Sequence, residues 1–189
     1  MSILKVRIRL TYLAALLLAS AALLSCTKES RELMYANQEE RIEKFVVNQQ
    51  SSNPDVRVVH NGGSTRVVIS EGEGVEATAR GKVSVYYAGY NFSSGSVSNS
   101  YLFSTNNKDF ASSVNWKLTD DSLMSEPLEI DLADKDMLEG LRNGLAGVRE
   151  GEECYILFSG KYAFGKNKIG TIPANSPLAF RIWVQQVEN

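Results

Sequence analysis

His60 is the only histidine of the chain, and Cys26 and Cys154 are its only cysteines. Multi-histidine and four-cysteine metal centres are therefore excluded. One imidazole with no acid and nucleophile spaced to partner it does not make a triad. His60 stands beside Asn61-Gly62-Gly63 and reads as a solvated turn residue. Two thiols are too few for a disulfide scaffold. The chemistry that remains is apolar. Tyr87, Phe103, Phe164 and Phe180 are spread through the second half among Leu128, Met137, Leu138, Leu141 and Ile172. Together such side chains can line a dry pocket; taken singly, each is equally at home in a core. No metal and no cofactor is expected.

Charge narrows the partners. Twenty Lys and Arg face 22 Asp and Glu, a formal net charge of −2. No basic excess exists to neutralise phosphates, so a nucleic-acid partner is not expected. With 189 residues, 43% hydrophobic and 22% charged, the chain has the composition of one globular domain plus an appendage.

The appendage begins with an address. Lys5, Arg7 and Arg9 precede an apolar run over residues 10–24. That run is shorter than the ~20 residues of a spanning helix and suits the apolar region of a signal peptide. It ends Leu23-Leu24-Ser25-Cys26, which resembles the bacterial lipobox. The resemblance implies cleavage after residue 25 and lipidation of Cys26. It also implies a lipid anchor in the bacterial cell envelope, on an outer membrane facing the periplasm or the surface. An ordinary secretory signal or an uncleaved anchor is the plainer alternative.

The elements follow from periodicity. Residues 31–50 place Met34, Gln38, Ile42, Phe45 and Val46 along one stripe of a helix, with charged residues on the rest. The stripe is narrow. It packs on the chain's own domain or on a partner chain, and the former is expected. Ser51-Ser52-Asn53-Pro54 ends the helix. Val56, Val58 and Val59, then the Asn61-Gly62-Gly63 turn, then Val67-Val68-Ile69 predict a hairpin. Short alternating segments follow at residues 83–90, 101–103, 128–132, 154–158 and 178–187. One short helix is expected within residues 135–145. This is an α+β layout, an antiparallel sheet with a single helix in its second half.

The order and spacing of several short segments carry a resemblance. These are Val85-Tyr86-Tyr87-Ala88-Gly89-Tyr90, Phe103, Pro127-Leu128, Met137-Leu138-Glu139-Gly140-Leu141, Gly147-Val148, Gly151-Glu152, Tyr162-Ala163-Phe164-Gly165, Ile172-Pro173 and Leu178-Ala179-Phe180. The series resembles the FKBP-type peptidyl-prolyl cis-trans isomerases over about residues 75–187. The resemblance implies a half-barrel sheet wrapped around one short helix, with an apolar pocket between them. It divides the chain into a signal peptide (1–25), a spacer with helix and hairpin (26–74) and an FKBP-like domain (75–189). It assigns Tyr87, Phe103, Leu138, Phe164 and Phe180 to catalysis. Ser104, Leu128, Met137, Leu141 and Ile172 are assigned to substrate binding. The backbone N–H of Leu138 is the group expected to hold the substrate carbonyl, and Phe164 lies on a flap.

Three positions depart from the family pattern. Ser104 stands where aspartate is usual, Leu141 where tryptophan is usual, and Phe164 where tyrosine is frequent. The stretch 104–126 is also long for the family, and its Phe110, Trp116 and Leu118 are candidates to cover or extend the pocket. The expected function is isomerisation of proline-containing exported polypeptides at reduced rate. A non-catalytic chaperone or binding lipoprotein of the same fold is the alternative, and a structural envelope protein is a third class.

Overall fold

Ile42, Phe45 and Val46 lie within one turn of each other, and a helix brings all three to one face. In the computed structural model, which describes residues 28–116 and 126–189, residues 28–52 form that helix, α1. The lipobox, with Cys26, and Leu118 lie outside the described residues. Two compact units are distinguished, residues 1–37 and residues 38–189. In the first, residues 28–37 are helical. The second holds the rest of α1 and every strand.

The hairpin forms as its sequence predicts. β1 (Arg57–Asn61) and β2 (Ser64–Ser70) are joined by Gly62 and Gly63. Both glycines have positive φ, 54° and 81°, the backbone that a two-residue turn matching the strand twist requires. His60 belongs to β1 rather than to the turn, and its Nδ1 lies 3.1 Å from Thr65 Oγ1.

The remaining elements are β3 (Lys82–Asn91), β4 (Leu102–Thr105), α2 (Lys108–Ser113), β5 (Leu128–Asp131), α3 (Glu139–Leu145), β6 (Glu153–Phe158) and β7 (Leu178–Glu188). The strands build one seven-stranded sheet in the order β1-β2-β6-β7-β3-β4, with β5 also on β3. Every pairing is antiparallel. The hairpin is thus hydrogen-bonded into the same sheet as the later strands, through β2 on β6.

Alternation sorts the sheet into two apolar faces. Val83 and Val85 of β3, Ile156 and Phe158 of β6, and Phe180 and Ile182 of β7 meet Leu141 and Leu145 of α3. Ala88 and Tyr90 of β3, Leu157 of β6 and Ala179 of β7 meet Ile42, Phe45 and Val46 of α1 on the other face. The narrow stripe of α1 therefore packs on its own chain. Phe45 anchors it, edge-on to Phe92 and Tyr155 with ring centres 5.6 and 5.7 Å away.

The short helix α3 sits unusually close to β6. A Cβ at Gly140 would lie 2.2 Å from the Phe158 ring, and one at Gly144 would lie 2.2 Å from Ile156 Cγ2. Arg66 of β2 caps the other end of this helix. Its guanidinium donates to the carbonyls of Gly144, Ala146 and Gly147, each at 3.0 Å. Its Nε stands 3.3 Å from the wholly buried carboxylate of Glu152.

Candidate functional site

The sheet curls around α3, and a cavity of about 260 Å³ opens between them. Its wall contains Tyr87, Phe103, Ser104, Leu128, Met137, Leu138, Leu141 and Phe180, which are eight of the ten residues singled out in the sequence. Strand register explains how distant positions meet. Tyr87 pairs with Ile182 and Gly89 with Phe180 across β3 and β7, while Val85 pairs with Leu128 across β3 and β5. Met137 and Leu138 come from the segment entering α3, and Leu141 lies one turn further on.

Phe180 is the centre of an aromatic group. Its ring stacks on Phe158 at 5.9 Å and meets Phe103 edge-on at 5.9 Å and Tyr87 at 6.1 Å. Gly89 makes this possible, because a Cβ there would lie 2.7 Å from Phe103 and 3.0 Å from Phe180. Phe180 is 5% exposed, so it is wall and core at once.

One hydroxyl pair interrupts the apolar wall. Tyr87 Oη and Ser104 Oγ lie 3.0 Å apart and share a hydrogen bond. The backbone N–H of Leu138, just before α3, finds no acceptor among the described residues. The wall carries neither acid nor imidazole, so what it offers is a largely apolar slot with one hydroxyl pair. Cys154 is no nucleophile for it, since burial pushes its thiol well above the usual range.

Phe164 and Ile172 do not line this cavity. Both sit in the β6–β7 connection, residues 159–177. Phe164 is half-buried against the same core cluster and Ile172 is buried within it. Phe110 and Trp116 correct a further expectation, because they neither cover nor extend the pocket. They pack on the α1 face of the sheet, where Phe110 meets Trp183 at 5.5 Å and the Arg181 guanidinium lies over both rings. Alternation decides this: the strand partners Trp183 and Arg181 flank Ile182, whose side chain takes the cavity face.

The structure adds residues to the site. Val85, Ile130 and Ile182 line the cavity. Each is two positions from a named residue on the same strand, so period-two alternation was the signal that would have found them. Asn106 had no such signal. Along the edge of β3 opposite β7, β5 covers Lys82–Val85 and β4 covers Ala88–Tyr90. The buried Asn106 fills the gap between them. Its Oδ1 accepts from Tyr87 N–H at 2.6 Å and its Nδ2 donates to Val85 O at 3.1 Å. Thr105 Oγ1 donates to Tyr87 O at 2.6 Å. Side chains thus take the place of a neighbouring strand and fix the backbone of Tyr87.

The family model described as FKBP-type peptidyl-prolyl cis-trans isomerase matches residues 74–185. The chain belongs to that family. Among related sequences, FK506-binding protein 1 of Aspergillus oryzae is 26% identical over 120 residues, which are 64% of this chain and 94% of that protein. A peptidyl-prolyl cis-trans isomerase of Saccharomyces cerevisiae is 32% identical over 75 residues, 40% of this chain and 18% of the relative. The chain thus spans only about a fifth of that yeast protein's length. Among solved structures, FkpA from Escherichia coli has a TM-score of 0.54 at 20% identity, covering 92% of this chain and 70% of that one. A peptidyl-prolyl isomerase from Pseudomonas syringae has a TM-score of 0.54 at 19% identity, covering 82% and 95%. At these identities the likeness is one of fold: an FKBP-like sheet and helix preceded by an N-terminal helix.

Proposed function

We propose that this FKBP-family chain isomerises X–Pro bonds in exported polypeptides while anchored to the bacterial envelope through a lipid on Cys26. The cavity carries the catalytic part of the reading: an almost wholly apolar slot of about 260 Å³ with a single hydroxyl pair, lined in part by Leu138. Rotation about an X–Pro bond faces a barrier of ~18–20 kcal/mol and breaks no covalent bond. Planarity is maintained by a polar resonance form. An apolar wall of Phe103, Leu141 and Phe180 withdraws water from the prolyl amide and disfavours that form. A slot shaped to the twisted amide then favours the transition state over either planar isomer. The Leu138 N–H donates to the substrate carbonyl and fixes the chain preceding proline. The Tyr87–Ser104 pair faces the rotating amide as a neutral donor and acceptor.

The same residues support a slow enzyme. A hydroxyl at position 104 polarises less than a carboxylate does, since ionised partners make hydrogen bonds roughly twice as strong. Leucine at 141 leaves a deeper floor than tryptophan and holds the proline ring less tightly. These two positions also support the second reading, a binding protein of FKBP fold without catalysis. A protease-coupled isomerisation assay on the full chain separates the two. The wild type should show activity, and Ser104→Asp combined with Leu141→Trp should raise kcat/KM. An inactive wild type together with a folded, equally inactive double variant sinks the isomerase reading and leaves the binding protein.

For the anchor, no helix among the described residues is long and apolar enough to cross a membrane. The sequence support is the lipobox at residues 23–26. Cys26→Ser should abolish acyl labelling and leave an uncleaved precursor; unchanged labelling and processing refutes the anchor.

A further inference from the structure

The β6–β7 connection, residues 159–177, carries the two site candidates that do not line the cavity, Phe164 and Ile172. Most of its own hydrogen bonds are internal. Gly165 N–H donates to Gly160 O, and Ile169 and Ile172 exchange bonds of 3.0 and 2.8 Å. The two ends of the segment, at Gly160 and Asn175, are tied by a side chain from elsewhere. Gln38 of α1 is 4% exposed. Its Oε1 accepts from Gly160 N–H at 2.8 Å, and its Nε2 donates to Asn175 O at 2.8 Å. Its neighbour Glu39 accepts from Ser159 Oγ at 3.3 Å.

Backbone pairing of Phe158 with Leu178 and the Asn175 N–H bond to Gly165 O already bring the two ends together, and one carboxamide braces them further, using its donor for one end and its acceptor for the other. Glutamate offers acceptors only and would set its charge against the Asn175 carbonyl. Leucine matches the size, takes the acceptor away from the buried Gly160 N–H and removes the bond to Asn175 O. α1 lies outside the segment that the family model matches, residues 74–185.

We infer that Gln38 is a positioning residue for the prolyl site. It clasps the base of the flap and sets where Phe164 stands relative to the cavity, so the shape of the site depends on a helix outside the family domain. The inference rests on reading the cavity as a prolyl site.

The test uses the full chain as wild type, Gln38→Leu, Gln38→Glu and, as a packing control one turn along α1, Ile42→Val. Amide hydrogen exchange is followed over residues 160–175 and over β6 and β7, and kcat and KM are measured on a proline-containing peptide. Gln38→Leu should speed exchange in 160–175 about tenfold, the effect of leaving the buried Gly160 N–H without its acceptor. β6 and β7 should keep their protection, and KM should rise with kcat held. Gln38→Glu, which retains the acceptor for Gly160, should lie between Gln38→Leu and the wild type. Ile42→Val should leave the flap unchanged. Equal flap exchange in wild type and Gln38→Leu overturns the clasp, as does acceleration spread evenly over β6 and β7. If Gln38→Leu does not fold, the same comparison is made with Gln38→Glu. An inactive wild type counts against the isomerase reading alone, because exchange decides the clasp in the same samples.

Discussion

Phe180 serves the core and the cavity together, and this makes it a poor probe of either. Phe180→Ala removes a ring that touches Phe158, Phe103 and Tyr87. It should cost about 3–5 kcal/mol, read as a shift in the urea midpoint. Asn106→Ala is more informative. It leaves Tyr87 N–H and Val85 O without partners inside the sheet, at about 1–3 kcal/mol. Because Tyr87 then loses its fixed backbone, isomerisation should fall further than the loss of folded protein accounts for, measured at a temperature where the variant stays folded. Activity that simply tracks folded fraction would show that Asn106 only supports the sheet. The two polar residues beside the cavity were unequally legible in the sequence. Ser104 follows Phe103 in a recognisable order. Asn106 imitates a peptide group on a strand edge, and nothing in a single sequence marks an asparagine for that role.

At the scale of elements, α3 and β6 depend on a buried ion pair. Arg66 is 3% exposed and Glu152 wholly buried. Arg57 stands 3.5 Å from the second Glu152 oxygen. Burial pushes the Glu152 carboxyl upward, against the pull of Arg66 and Arg57. Arg66→Met removes the cap on three carbonyls at and just beyond the end of α3 and takes from the buried carboxylate its buried partner, for a loss of about 3–5 kcal/mol near neutral pH. The sign of its pH dependence follows from linkage. A carboxyl whose folded pKa lies above its unfolded value binds more protons in the folded state. It favours folding at low pH, and that contribution is lost as pH rises through the folded pKa. The Arg66→Met deficit should therefore shrink on acidification, and Glu152→Gln in that background should recover stability at neutral pH and flatten the dependence. Thermal melts across pH 4–8, a window chosen around the ordinary carboxyl range, check both statements. Periodicity makes the strands and α3 legible, but not this pair. A lone arginine in a valine-rich strand reads as an exposed position until the register with β6 places Ile156 opposite it.

At the scale of the molecule, one sheet separates two apolar layers with different duties. The α3 face opens into the cavity. The α1 face is closed by Ile42, Phe45, Val46, Phe110 and Trp116 and holds the sheet in place. The sequence made both layers visible as alternation but could not say which face the stretch after β4 would cover, since Phe110 and Trp116 suit either apolar layer. Contact with Trp183 and Arg181, which alternate with the cavity-facing Ile182 on β7, settles it. The closed layer has its own titration. Tyr90 is 2% exposed, and burial pushes its phenol up to about 12 from an ordinary value of 10.0. The folded state thus holds a proton that the unfolded chain gives up first. Stability from this group is complete below pH 10 and is lost as pH rises toward 12, at most roughly 3 kcal/mol over the window. Tyr155, also raised by burial, adds to the same loss. Tyr90→Phe should be close to neutral in stability at pH 7 and should shallow the fall in melting temperature between pH 10 and 12. A variant that melts in parallel with the wild type across that window would show that Tyr90 meets water in the folded state and that the α1 layer is not sealed over β3.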